Sequence, residues 1–423
     1  MHVWMLGILG FIFVMGLAVL VHELGHFVAA RKFGVRCHEF AIGMGPALWK
    51  KRKGETMHKI CAIPIGGYVM MGMDEGERDI IKEQTEIGLT LDGDGTVVKI
   101  HVQPADGQFG AVLISNTLDV ANQLEIAVEV EGERRVYPVS SEMWYVDSKA
   151  DREQQIVPSD KRLEKKPKRQ RFVIMVAGAL MNFVLAYVLL LIVNGALGEV
   201  VGYSTQLNAI GIDGPAYEAG LLPGDRILQI GQWEVHDFDG LRQAIQDVAD
   251  NEATIVFERD GVTHEAQITP MTRPGSDAYY LGIDPMNYRE RSLMGTFRSA
   301  NADFVEFSTL IVSTLRMLTT GEAGAGDLAG FVGIAYMTGQ VATQGFFSLL
   351  AFAALININL AIFNLLPFPA LDGGHITFIV IEAIIGKPVN SKIQNAVSIA
   401  GMVLLMGLMV FTVFNDVFRF ILN

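Results

Sequence analysis

Cysteine is nearly missing from this chain. Its 423 residues hold two, Cys37 and Cys61. They have no CxxC spacing, which argues against a disulfide framework and a cysteine zinc knuckle. Excess positive charge is missing as well. The formal net charge of −13 excludes general nucleic-acid binding. The N-terminus lacks the basic region of a secretory signal peptide, so its apolar stretch reads as a retained helix. Ionisable residues are almost missing from the apolar stretches at 172–197 and 397–413. A metal transporter would need them along several helices.

What the chain has is apolar length. Hydrophobic residues make up 50% of it. Four stretches, 5–30, 172–197, 346–366 and 397–413, approach the ~20 residues a spanning helix needs. Basic runs set their orientation. Arg31 and Lys32 end the first stretch, Lys50-Lys51-Arg52-Lys53 follows it, and a dense basic run from Lys161 to Arg171 abuts the second. These belong on the cytoplasmic side, which puts both termini and residues 198–345 outside.

Between the spans lie three further kinds of sequence. Residues 57–73 are apolar but too short to span. Pro64, Gly66 and Gly67 favour a hairpin or re-entrant loop, which survives at membrane depth only where protein or a water cavity satisfies its backbone. Residues 78–160 alternate polar and apolar positions, with turn signals at Asp94-Gly95 and Glu131-Gly132, and read as a small β-rich insertion. Residues 200–287 carry a short helix, a Pro223-Gly224-Asp225 turn and a strand. A helix over 241–248, a strand over 254–259 and a turn at Asp260-Gly261 follow. This order, with the run Ala219-Gly220-Leu221-Leu222-Pro223-Gly224-Asp225-Arg226-Ile227, resembles a bacterial PDZ domain, a module that takes extended peptides by strand addition. Residues 290–345 mix amphipathic helix with a flexible break at Gly321-Glu322-Ala323-Gly324-Ala325-Gly326.

The expected fold is therefore membrane α-helical, with about four transmembrane helices, a re-entrant β-hairpin or sheet, an extracytoplasmic α/β PDZ domain and a small cytosolic β-rich insertion. The expected divisions are 1–30 for the first helix, 31–77 for the cytoplasmic-side loop and re-entrant segment, and 78–170 for the insertion and basic linker. They continue with 171–197 for the second helix, 198–287 for the PDZ domain, 288–345 for an amphipathic linker and 346–423 for the last two helices.

The first stretch contains His22-Glu23-Leu24-Gly25-His26. Polar side chains are costly in hydrocarbon, so three of them there need a use. Positions i and i+4 share a helix face, so both imidazoles can reach one zinc ion, with Glu23 beside them as general base. A catalytic zinc has three protein ligands and one open position. Asp372, in Pro367-Phe368-Pro369-Ala370-Leu371-Asp372-Gly373-Gly374-His375, is the leading candidate for the third. The two prolines break the helix and the glycines free the backbone. His375 is a second candidate, and a helix N-cap is the alternative role for Asp372. Depth agrees: His26 and His22 lie roughly 8 to 14 Å inward from Arg31 at 1.5 Å per residue.

In these motifs the chain resembles the site-2 proteases, the intramembrane zinc metalloproteases. The carriers are the His22–His26 motif, Gly43-Met44-Gly45-Pro46, Ile65-Gly66-Gly67-Tyr68-Val69 and the run from Asn364 to Gly374. The RseP-like group, with PDZ between the second and third spans, is the nearest type. This chain departs from it by showing one PDZ module and a long cytosolic insertion, features of the Gram-positive branch. The resemblance implies one zinc per chain on His22, His26 and Asp372, with Glu23 as catalytic acid/base. It implies that Asn359 and Asn364 hold substrate or oxyanion, interhelical hydrogen bonds being the alternative use of these amides, and that the sheet edge with Gly66 and Gly67 binds unwound substrate. Asn357 has no family counterpart and reads as packing. Implied partners are single-span membrane proteins such as anti-sigma factors, signal-peptide remnants, peptide ends at the PDZ domain, and the bilayer of a bacterial cytoplasmic membrane. The competing reading is a membrane-anchored PDZ scaffold with a structural zinc.

Overall fold

The computed structural model describes residues 2–72, 86–102, 113–115, 124–130, 133–147, 152–272, 278–324, 326 and 329–419. The turn signal at Glu131-Gly132 and Ala325 of the expected break lie outside the described residues. The chain divides into two compact units, 1–190 with 303–423, and 191–302.

The first unit opens with helix α1, His2–Lys32. It is apolar all round, as a helix in lipid must be. It closes at Gly34, where the Val35 N–H returns to the Ala30 carbonyl at 2.9 Å. Strands β1 (Cys37–Lys53) and β2 (Thr56–Met71) pair next. The sequence marked a hairpin or loop within 57–73 alone. Instead this stretch is one long strand whose partner is 37–53, including the basic run. The register folds the pair into four segments. Residues 39–42 face 67–70 on one side and 57–60 on the other, and 49–53 take the far side of 56–60. Segment 67–71 is thus an outer edge with no further strand on it among the described residues.

The insertion supplies β3 (Glu86–Leu91), β4 (Val97–Val102), β5 (Leu113–Ser115), β6 (Glu125–Val130), β7 (Glu133–Asp147) and β8 (Arg152–Gln155). They form one sheet in the order β4-β3-β5-β6-β7-β8, and a parallel β4–β7 pairing closes it on itself. Ile87, Ile100, Ile126, Met143 and Ile156 fill its core. Buried Arg36 ties it to the hairpin, with Nη1 donating to the Ile156 carbonyl at 2.7 Å and Nε to Glu55 at 3.2 Å.

Helix α2 (Lys168–Leu197) leads toward the second unit. There, β9 (Glu199–Ile210), α3 (Pro215–Glu218), β10 (Arg226–Ile230), β11 (Trp233–Glu234) and α4 (Phe238–Val248) come in order. They are followed by β12 (Ala253–Arg259), β13 (Val262–Ile268), β14 (Met271–Thr272), β15 (Tyr279–Tyr280) and β16 (Ile283–Glu290). The main sheet runs β13-β12-β10-β9-β16. Asp260 and Gly261, both at positive φ (52° and 80°), make the tight β12–β13 turn. Helix α4 is capped by Asp237, which accepts the Gly240 N–H at 2.7 Å. It buries Leu241, Ala244 and Ile245 against the sheet.

Helix α5 (Leu293–Thr320) begins in the second unit, and the chain then returns to the first. Helices α6 (Phe331–Thr343), α7 (Phe346–Leu365), α8 (Asp372–Ile385) and α9 (Ser391–Val417) complete it. Helix α6 packs along the start of α1, with ring contacts Trp4–Tyr336 and Phe11–Phe331. Buried Asp416 on α9 accepts the Gly333 N–H at 2.7 Å in the first turn of α6. Among the described residues, four helices, α1, α2, α7 and α9, are long and apolar enough to cross a membrane.

Candidate metal centre

Helical spacing places His22 and His26 on one face of α1, and the Asp372 carboxylate meets them. The His22 and His26 Nε2 atoms are 3.2 Å apart. Asp372 Oδ2 lies 3.2 Å from His22 Nε2 and 3.1 Å from His26 Nε2. Both histidines are buried.

A broken helix delivers the carboxylate. Helix α7 stops at Leu365, before Pro367 and Pro369, neither of which has an N–H for a continuing helix. Ala370 takes a left-handed backbone conformation (φ 77°) and turns the chain. Helix α8 starts at Asp372 with Leu371 as its N-cap and no side-chain cap. The Asp372 carboxylate therefore faces the histidines rather than capping the helix. His375 is exposed and outside the His22–His26–Asp372 group.

The donor set fits a zinc ion. Zinc–ligand bonds of about 2.0–2.1 Å in tetrahedral array separate ligand atoms by roughly 3.3 Å, close to the three separations here. His26 Nδ1 donates to the Ile174 carbonyl at 2.8 Å. That bond selects the tautomer whose Nε2 keeps its lone pair for a metal. Three acidic or imidazole groups form this cluster among the described residues.

Glu23 is buried beside the pair, one residue along α1. The outer segment of β2 passes directly over it. A Cβ added at Gly67 would lie 2.9 Å from Glu23 Cγ and 2.8 Å from the Ala41 carbonyl oxygen. Gly66 (φ 71°) rests against Met44. Asn359 and Asn364 are half-buried on α7, and no hydrogen bond joins either to the three clustered side chains. Asn357 is fully buried and donates to the Ala353 carbonyl at 2.7 Å, within its own helix.

The sequence reading missed the contribution of α2. A Cβ on Gly178 would sit 2.3 Å from His26 Nε2 and 2.8 Å from His22 Cε1. The second helix thus approaches the histidine rings with bare backbone. One turn on, fully buried Asn182 is a polar residue in an apolar span, a signal that was available.

A paired-histidine helix inside the apolar layer, a glutamate beside it and a carboxylate from a proline-broken turn define the class: a zinc metalloprotease associated with the membrane. The particular family follows from comparison. The chain belongs to peptidase family M50, the site-2 proteases, which it matches over residues 10–408. The zinc metalloprotease RasP of Shouchella clausii is 34% identical to it over 97% of this chain and 98% of its own. The regulator of sigma-W protease RasP of Bacillus subtilis is 33% identical over 98% and 99%.

Proposed function

We propose that this chain cuts the transmembrane segments of single-span membrane proteins whose outer part has already been removed, or signal-peptide remnants left in the bilayer. The carrying observation is the convergence of His22, His26 and Asp372 to 3.1–3.2 Å beside Glu23. These three side chains hold one zinc per chain. A purely structural zinc would be closed by four protein ligands, and three are present among the described residues. Zinc held there would supply Lewis-acid polarisation of a carbonyl and would ease deprotonation of water.

The remaining work falls to side chains and backbone. Glu23 takes a proton from water and returns it to the leaving amine. A helical peptide bond hides its carbonyl, so the substrate must unwind. The 67–71 edge offers unpaired backbone to the extended chain by strand addition, and Gly67 lets that edge approach Glu23. Asn359 and Asn364 supply amide donors to the substrate or its developing oxyanion.

The four long apolar helices cross the bacterial cytoplasmic membrane, with Arg31, Lys32 and Lys50–Lys53 on the cytoplasmic side. The N-terminus, the C-terminus and the 191–302 unit then lie outside. The β10–β13 order and the Pro223-Gly224-Asp225 turn support a PDZ module there. It holds back bulky uncut proteins or takes newly exposed peptide ends.

The test is cleavage of a model transmembrane substrate by the reconstituted protein. Glu23→Gln should lower the rate by at least about 10²- to 10⁴-fold with zinc content intact, and Asp372→Asn should lose zinc. A fully active Glu23→Gln protein would refute the assignment.

A further inference from the structure

Helix α2 meets the histidine pair along a single face. Ile174 lends its carbonyl to His26 Nδ1 at 2.8 Å. One turn later, Gly178 leaves room for both rings. One turn beyond that is Asn182, on the same face by the i, i+4 rule. Numbers rise along α2 as they fall along α1. The series therefore runs Ile174 at His26, Gly178 between the two rings, and Asn182 toward His22.

Helical side chains lean toward the N-terminus of their helix. The Asn182 amide thus leans back toward the turn that carries Gly178, against whose bare backbone the two rings pack. It is fully buried. Neither its oxygen nor its nitrogen has a hydrogen-bond partner among the described residues, and the same holds for His22 Nδ1. A buried polar group without a partner is costly. Here two complementary ones stand on facing helices, a donor-capable ring nitrogen and an acceptor oxygen. The terminal amide torsion of asparagine is broad, so turning the amide toward the ring is cheap.

We propose that Asn182 is a positioning residue of the metal centre. Its side-chain oxygen accepts the Nδ1–H of His22, as the Ile174 carbonyl accepts that of His26. This rests on His22 being a zinc ligand. The bond fixes the tautomer that leaves His22 Nε2 free for metal, holds the ring plane and raises the basicity of the ligand nitrogen. Each of the two histidines is then oriented from α2, on either side of Gly178.

The experiment measures zinc affinity of the full-length protein in detergent by competition with a chelator. It also records the visible absorption of the cobalt-substituted protein, which a residue with only a packing role would leave unmoved. Asn182→Ala and Asn182→Leu should weaken zinc binding by about 10- to 100-fold and shift the cobalt bands. Asn182→Asp, which keeps an acceptor oxygen, should stay near the wild-type value. If the leucine variant does not fold, the alanine and aspartate pair decides. Wild-type affinity and an unchanged cobalt spectrum in Asn182→Ala would overturn the proposal. So would an aspartate variant as weak as the alanine one. A His22→Ala control separates the two levels. Zinc loss in that control alongside intact binding in Asn182→Ala defeats the positioning role alone, whereas zinc retention in it defeats the ligand reading itself.

Discussion

The 191–302 unit and the metal centre are built by opposite means. The unit fills space: Leu207, Ile227, Ile230, Leu241, Ile255 and Phe257 pack one apolar core from elements that follow closely in the chain. The centre depends on space left empty. It joins His26 to Asp372, 346 positions apart, and it closes because Gly178 and Gly67 carry no side chain. One region suffers when atoms are removed, the other when they are added.

Adding atoms at the centre gives the largest effect. Gly178→Val would drive carbon into the His26 ring, so zinc content and cleavage should both vanish. Hydrogen-exchange protection of β10 and β12 should stay as it was. Retained zinc in this variant would break the contrast.

Removing atoms from the unit comes next. Phe257→Ala should cost the unit about 3–5 kcal/mol, read as lost exchange protection there, while metal analysis shows full zinc. Falling zinc content would mean that the two regions are not separable.

Gly67→Val sharpens the picture within the centre. A side chain there would press first on the Ala41 carbonyl, on Val19 and on Glu23. Cleavage should fall by about 10²-fold, as for a misplacement near 1 Å, with zinc affinity unchanged. A variant that cuts normally would detach the sheet edge from the chemistry.

The smallest effect is acid sensitivity of the unit. Burial alone would raise the Asp225 carboxyl. The Arg259 guanidinium at 2.7 and 2.8 Å and the Leu222 N–H at 2.8 Å more than offset this and hold it below the usual range. A carboxyl depressed on folding stabilises above its unfolded pKa of about 3.9. That contribution is lost as pH falls below this value through the folded pKa. The unit should therefore loosen in strong acid, and Asp225→Asn should flatten that dependence in an exchange experiment.

The same contrast explains what could be read in advance. The spacing of His22 and His26 is local to one helix, and two prolines announced the turn that presents Asp372, so the three side chains could be named together. Strands β10 and β12 were legible because turn residues bound them. The partner of β2 was not: residues 37–53 break their alternation at Gly43, Gly45 and Pro46, and their charged end looked like an interface flank. Helix α6 spans Phe331–Thr343, too short for a membrane-span pattern, and only packing on α1 identifies it. Gly178 was invisible for a physical reason. A glycine in an apolar helix looks the same whether it faces lipid or an imidazole, and only the position of the neighbouring helix distinguishes them.

The central claim is that His22, His26 and Asp372 share one zinc ion. Metal counting with X-ray absorption at the zinc edge on the purified full chain tests it most directly. One zinc per chain is expected, with nitrogen and oxygen ligands at about 2.0–2.1 Å, an imidazole pattern, and loss of the metal when any of the three residues is replaced. A sulfur shell near about 2.3 Å, or full zinc in a protein lacking His22, His26 or Asp372, would contradict it.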